Sequence, residues 1–146
     1  MIFKDWKLIT HKACQDGSSC SILFQIFGGK KEDVSFATYE SVDEIAKDLF
    51  YNFSGKVILA DISVSPETAR LIDGRKYDFL LLDHHKTALR LKEFSWCEIE
   101  KENKRSGAQM LFDWIEKSIY LQYEDALLNS WINQLKKYKR LIELSQ

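Results

Sequence analysis

Short apolar runs of four or five residues alternate along this chain with longer amphipathic stretches. The first run, Trp6 to Thr10, breaks at the polar turn through Asp16-Gly17. Ile22, Leu23, Ile26 and Phe27 then recur at helical spacing, with Ser18 and Ser19 as candidate caps and Gly28-Gly29 as the stop. Val34 to Ala37 alternates like a strand, and Ser41 is placed to cap a helix through Ile45, Ala46, Leu49 and Phe50. Gly55 opens the run Val57-Ile58-Leu59-Ala60, which ends in Asp61. Ser65-Pro66-Glu67 reads as a cap followed by a first-turn proline, in a helix closed by Gly74. Phe79 to Leu82 is a further strand, and another lies around Trp96 to Ile99. Ser106-Gly107 starts a helix with Met110, Leu111, Trp114 and Ile115 on one side. A last helix, from about Tyr123, puts Leu128, Trp131, Ile132, Leu135 and Ile142 near one stripe. Strands alternating with helices predict an α/β fold, a parallel sheet between two helical layers.

The polar residues that interrupt this pattern carry the chemistry. Leu80-Leu81-Leu82 runs straight into Asp83-His84-His85, so a strand buried on both faces ends in one carboxylate and two imidazoles. Ligands of open α/β sheets sit outside the carboxyl ends of their strands. All three histidines of the chain fall just past a predicted strand end, His11 after the first run and His84 and His85 after the fourth. Three strand ends therefore converge, offering His11 with Asp16, then Asp61, then Asp83 with His84 and His85. Such a set suits two divalent ions sharing a carboxylate, able to lower the pKa of a water and polarise a phosphoryl oxygen. Asp and His ligands fit Mn²⁺, Fe²⁺ or Zn²⁺, and the richness in carboxylates leans towards Mn²⁺, with Mg²⁺ the alternative.

Composition narrows the classes. The chain has 146 residues, 45% of them hydrophobic, and a formal net charge of -1. One domain over residues 1–146 with a real core is expected, and disorder is excluded. Without a basic excess there is no footprint for tight binding to long duplex nucleic acid. The first residues, Met1-Ile2-Phe3-Lys4-Asp5, carry no signal-peptide pattern, and no apolar run approaches the roughly 18 residues of a membrane span. Cys14, Cys20 and Cys97 form no CxxC pair and read as reduced thiols of a cytoplasmic protein.

The same residues resemble the DHH phosphoesterases, a family of RecJ-type exonucleases, nano-RNases, pAp phosphatases and cyclic-dinucleotide phosphodiesterases. The likeness runs from His11-Lys12-Ala13-Cys14-Gln15-Asp16-Gly17 through Ala60-Asp61 and Asp83-His84-His85 to the Ser106-Gly107 helix. It implies a parallel sheet holding two metal ions, usually Mn²⁺. By that resemblance His11 and Asp16 are ligands, one for each ion, and Asp61 bridges both. His84 is a third-motif ligand, Asp83 a ligand or the partner that orients an imidazole, and His85 faces the scissile phosphate. The implied activity is hydrolysis of phosphodiesters or phosphomonoesters in nucleotides or short oligonucleotides.

The chain departs from the family at three places. The usual Asp-x-Asp-Gly has Cys14 at its first aspartate, a version that some branches also carry. A thiolate suits Mn²⁺ less well than a carboxylate, so Cys14 either ligates an ion or leaves one site weaker, the second being preferred. Of the aspartates that could serve as the fourth motif, Asp125 fits better than Asp113. The family's C-terminal substrate-gripping domain has no counterpart here, so the chain is either a truncated product or a single-domain variant that finds its substrate wall elsewhere; an exposed Trp131/Leu135 stripe on the final helix would point to a homodimer or a docked partner. Lys86, Arg105 and Ser106 are the candidates to touch phosphate. Gly17-Ser18-Ser19 reads as an anion site or as plain capping, and Lys136 to Arg140 as a solvated basic face. The rival function is a catalytically weak module that binds a metal, nucleotide or protein, and the narrower one a polyphosphate or pyrophosphate hydrolase.

Overall fold

Five apolar runs pair into one sheet. The computed structural model describes residues 1–122 and 126–144. Its strands are β1 (Lys7–His11), β2 (Val34–Ala37), β3 (Val57–Ala60), β4 (Phe79–Asp83) and β5 (Cys97–Ile99). They lie in the order β2-β1-β3-β4-β5, every neighbouring pair parallel. The helices are α1 (Gln15–Ile26), α2 (Val42–Asn52), α3 (Pro66–Ile72), α4 (Gly107–Gln122) and α5 (Ala126–Leu144).

Period-two alternation in the strands explains why helices cover both faces. Leu8, Ile58, Ala60 and Leu82 turn one way, into a core with Leu23, Phe24 and Phe27 of the α1 region and Met110, Leu111, Phe112 and Ile115 of α4. Ile9, Leu59 and Leu81 turn the other way, against Val42 and Ala46 of α2 and Ala69 and Ile72 of α3. Each fully buried Phe or Leu contributes about 1.5–3 kcal/mol, so two cores of this size hold a three-layer α/β fold. Leu135 and Ile142 of α5 join the first core. Among the described residues, no helix is long and apolar enough to cross a membrane.

Several helix starts differ from the sequence reading. α1 begins before Ser18 and Ser19, and its cap is Cys14, whose Sγ accepts the Gly17 N–H at 3.1 Å. The two serines lie inside the helix, and their hydroxyls donate back to the carbonyls of Cys14 and Gln15. Ser41 precedes α2 but makes no cap, because its Oγ accepts from the Thr38 N–H instead. Ser65 does cap α3, accepting from the Thr68 N–H ahead of Pro66. That helix ends at Ile72, and Gly74 lies in a 3-10 turn spanning Asp73–Arg75. Asp125 and Tyr123, like the side chains of Leu128, Trp131 and Ile132, lie outside the described residues. Lys136, Lys137, Lys139 and Arg140 are exposed on α5.

Register sets the functional edge. Thr10 pairs with Ala60, and Ala60 with Leu82. The next residue on each strand, His11, Asp61 and Asp83, therefore stands in one row at the carboxyl end of the sheet. The strand order reverses between β1 and β3, the switch point where open α/β sheets form their ligand crevice.

Candidate metal centre

Asp61 is the middle of the row. Its backbone is left-handed (φ 64°), its N–H donates to the Leu82 carbonyl, and it is 1% exposed. The two carboxylate oxygens face different neighbours. Oδ1 lies 3.0 Å from His84 Nε2. Oδ2 accepts the Cys14 thiol proton at 3.1 Å and lies 3.9 Å from His11 Nδ1. Ala13, just before Cys14, is also left-handed (φ 57°). Two non-glycine residues in that conformation flank the same cluster, a cost of about 1–2 kcal/mol each that packing around the site sustains.

Asp83 is fully buried beneath the histidines. Its Oδ1 accepts the backbone N–H groups of His84 and His85 and lies 2.6 Å from His85 Nδ1. That bond commits Nδ1 of His85 and leaves Nε2 as the free ring atom. Asp83 Oδ2 is buried with no hydrogen-bond partner. An orphaned carboxylate oxygen is costly unless a cation or proton meets it.

Asp16 is placed differently from a simple ligand. Its two oxygens accept the first amides of α4, from Ala108 at 2.7 Å and from Gly107 at 2.8 Å. A carboxylate there also complements the positive end of the helix. Asp16 Oδ2 still lies 3.3 Å from His84 Nε2, so it borders the cluster.

These contacts set the electrostatics. Asp16 and Asp61 beside the His84 ring raise its pKa to about 10. Asp83 likewise raises that of His85. Burial works to raise Asp16, but His84 and the Ala108 amide outweigh it and hold the carboxyl at about 2. Burial raises Asp61 despite the opposing pull of His84. Burial, with Asp61 nearby, pushes the Cys14 thiol up to about 11 against the Gly17 N–H. Without an ion, protons on His84 and Cys14 hold the carboxylates together.

The donor set could bind a metal ion. Ligand atoms of Asp61, Asp83, His84 and His85 fall within 4.8 Å of one another, and so do those of His11, Cys14 and Asp61. The orphaned Asp83 oxygen fits the same conclusion.

Two of the three candidate phosphate contacts already have partners, and the third is exposed. Arg105 is paired with Glu100 at 2.7 Å, Asp113 at 3.1 Å and Glu98 at 3.4 Å. Ser106 Oγ accepts the Gln109 N–H and caps α4. Lys86 is exposed in the short 3-10 segment after His85.

The structure adds residues that the sequence reading missed. Tyr39 is 53% exposed, with its ring 5.4 Å from that of His11 and 6.2 Å from that of His85. It lies two residues beyond the end of β2, so the strand-end rule that flagged the histidines also covers it. Gly17 and Gly107 permit close approach. A Cβ on Gly17 would sit 2.1 Å from the His11 carbonyl oxygen, and one on Gly107 2.6 Å from Asp61 Cβ. Gly17 was legible as part of a turn, whereas the contact of Gly107 with Asp61 joins residues far apart in the chain and leaves no local signal. No protein-family model, no curated protein and no solved structure matches this chain.

Proposed function

We propose that this protein is a divalent-metal-dependent phosphoesterase of the DHH type, acting on nucleotides or short oligonucleotides. The observation that carries the reading is the split of Asp61, one carboxylate oxygen beside His84 and the other beside His11 and Cys14. That is the arrangement of a carboxylate shared by two ions. Asp83 and His84 would complete one position, for which oxygen- and nitrogen-rich Mn²⁺ chemistry is the best match, with Mg²⁺ next. When bound, such ions supply an activated water and neutralise charge on phosphoryl oxygens.

The chain's own groups do the rest. Asp83 fixes the His85 ring through Nδ1 and favours its charged form, so Nε2 holds a proton for the leaving oxygen. Asp16 ties α4 against the edge and sets where Gly107 lies beside Asp61. Tyr39 offers an aromatic wall beside His11 and His85, suited to a nucleobase. The near-neutral net charge of -1 suits a short substrate better than a long duplex. Three free cysteines agree with a reducing, cytoplasmic setting.

A weakly catalytic binding module is the second reading, favoured by the engagement of both Asp16 oxygens with α4. One assay divides the two. The purified chain with Mn²⁺ is given bis-para-nitrophenyl phosphate, short RNA and pAp beside an Asp61→Ala control. Turnover of any of them well above the control is expected, and equality on all three rejects the enzyme reading.

A further inference from the structure

The two groups of ligands that meet at Asp61 are chemically unlike. One holds only carboxylate and imidazole donors, from Asp61, Asp83, His84 and His85. The other brings an imidazole, a thiol and a carboxylate together, from His11, Cys14 and Asp61. Sulfur and imidazole donors select zinc-like or ferrous ions, whereas Mn²⁺ and Mg²⁺ are held by oxygen-rich sets. We propose that the His11–Cys14–Asp61 position takes a thiophilic transition ion, Zn²⁺ or Fe²⁺, with the Cys14 thiolate as a ligand, so that the centre holds two different metals. This rests on the two-ion reading above but not on phosphoester hydrolysis.

Local geometry supports a ligating sulfur. The Cys14 S–H points at Asp61 Oδ2 with a sulfur-to-oxygen distance of 3.1 Å. With Zn–S near 2.3 Å and Zn–O near 2.0–2.2 Å, a tetrahedral ion spaces its S and O ligands roughly 3.5 Å apart. An ion can therefore replace the thiol proton with a shift of a few tenths of an ångström. His11 Nδ1, at 3.9 Å from the same oxygen, closes the third corner.

The thiolate so formed has support already in place. Cys14 is the N-cap of α1, and its sulfur accepts the Gly17 N–H. An N-terminal helix position stabilises a thiolate. The left-handed Ala13 turns the chain so that Cys14 follows His11 onto the same edge. Cys20 is fully buried in the α1 core and Cys97 lies on β5, so Cys14 alone of the three offers sulfur to this group. Partial exposure of His11 and Cys14 leaves an entry path.

Cobalt provides the direct test, because a sulfur-bound Co²⁺ shows a near-ultraviolet charge-transfer band. The metal-stripped full chain, kept reduced without added thiols, is titrated with Co²⁺. A band saturating at one Co²⁺ per chain is expected, abolished by Zn²⁺ and unmoved by a hundredfold excess of Mn²⁺. Cys14→Ser loses the band. Cys14→Asp also loses it and retains more Mn²⁺ than the native chain after dialysis. X-ray absorption of the zinc-loaded native protein, which needs no variant to fold, shows one sulfur neighbour at about 2.3 Å. Absence of that sulfur, survival of the band in Cys14→Ser, or its displacement by Mn²⁺ overturns the proposal. Failure of hydrolysis with the sulfur signature present rejects the phosphoesterase reading alone.

Discussion

Replacing Gly107 with alanine tests how tightly the last part of the fold is clamped to the candidate site. The added Cβ would meet Asp61 at 2.6 Å (Cβ), 2.8 Å (Cα) and 3.0 Å (N), and two of these atoms are backbone. They belong to a left-handed residue wedged between β3 and β4, so the start of α4 has to move instead. That movement also stretches the two amide bonds to Asp16. Overpacking of this kind costs about 1–3 kcal/mol, while Gly→Ala by itself returns about 0.4–1 kcal/mol through the unfolded chain. A net loss of about 1–2 kcal/mol follows, or roughly 3–6 °C in melting temperature for a domain of this size. Gly74 is the control, since a Cβ there meets nothing within 4 Å. Urea denaturation of Gly107→Ala and Gly74→Ala, with Mn²⁺ titration of each, reads both effects. Gly107→Ala as stable as Gly74→Ala, with native metal affinity, would refute the close-approach argument.

Other substitutions probe the remaining contacts. Asp16→Asn keeps one acceptor but loses the charge facing α4 and His84, and should cost about 1–3 kcal/mol in urea. Stability equal to the native chain would show that Asp16 does not hold α4. Asp61→Ala removes the carboxylate common to both donor groups, so on the two-ion proposal equilibrium dialysis should find both ions lost rather than one. Tyr39→Ala should raise the KM for nucleotide substrates by about 1–2 kcal/mol of lost stacking and leave bound metal unchanged. A KM that stays put for nucleotides would remove Tyr39 from the substrate wall. The His84 proton gives a pH signature. Because its pKa is raised from 6.5 to about 10, its contribution to metal-free stability is complete below pH 6.5 and is lost as pH rises towards 10. Metal has to displace that proton, so calorimetry in buffers of different ionisation enthalpy should show proton release and tighter binding at higher pH. Binding that weakens between pH 6.5 and 9 would contradict this.

The strands were legible because a sheet buried on both faces needs unbroken apolar runs, and Val57 to Ala60 and Phe79 to Leu82 supply them. The row of polar side chains at the sheet edge was legible for the same reason, since Asp61 and Asp83 are the first polar residues after such runs and His11 ends β1. Helix starts were harder. Ser18 and Ser19 are better capping residues by type than Cys14, yet the turn after β1 puts Cys14 at the cap and the serines inside. The helix-holding side of Asp16 left no local signal, because its partners, the amides of Gly107 and Ala108, are 91 and 92 residues away. The sequence around Arg105 likewise does not announce that Glu98, Glu100 and Asp113 fold around it. Periodicity and capping rules report neighbours in sequence, whereas the partners of Cys14, Asp16 and Arg105 are set by neighbours in space.

The donor groups at the carboxyl end of the sheet come from positions 11, 14, 61 and 83–85, and Asp16 at their border is held by the start of α4. No short stretch of chain can gather them. On the proposed metal reading, ion capture has to wait until β4 has joined β3, so a bound metal would act as a latch on a finished sheet rather than as a nucleus for folding. Meeting its full donor set only in the native arrangement, such an ion would add stability by mass action, about 2.7 kcal/mol at a hundredfold excess over its dissociation constant. Depletion of metal in the cell would then reach this protein twice, as a vacant centre and as a shorter-lived fold.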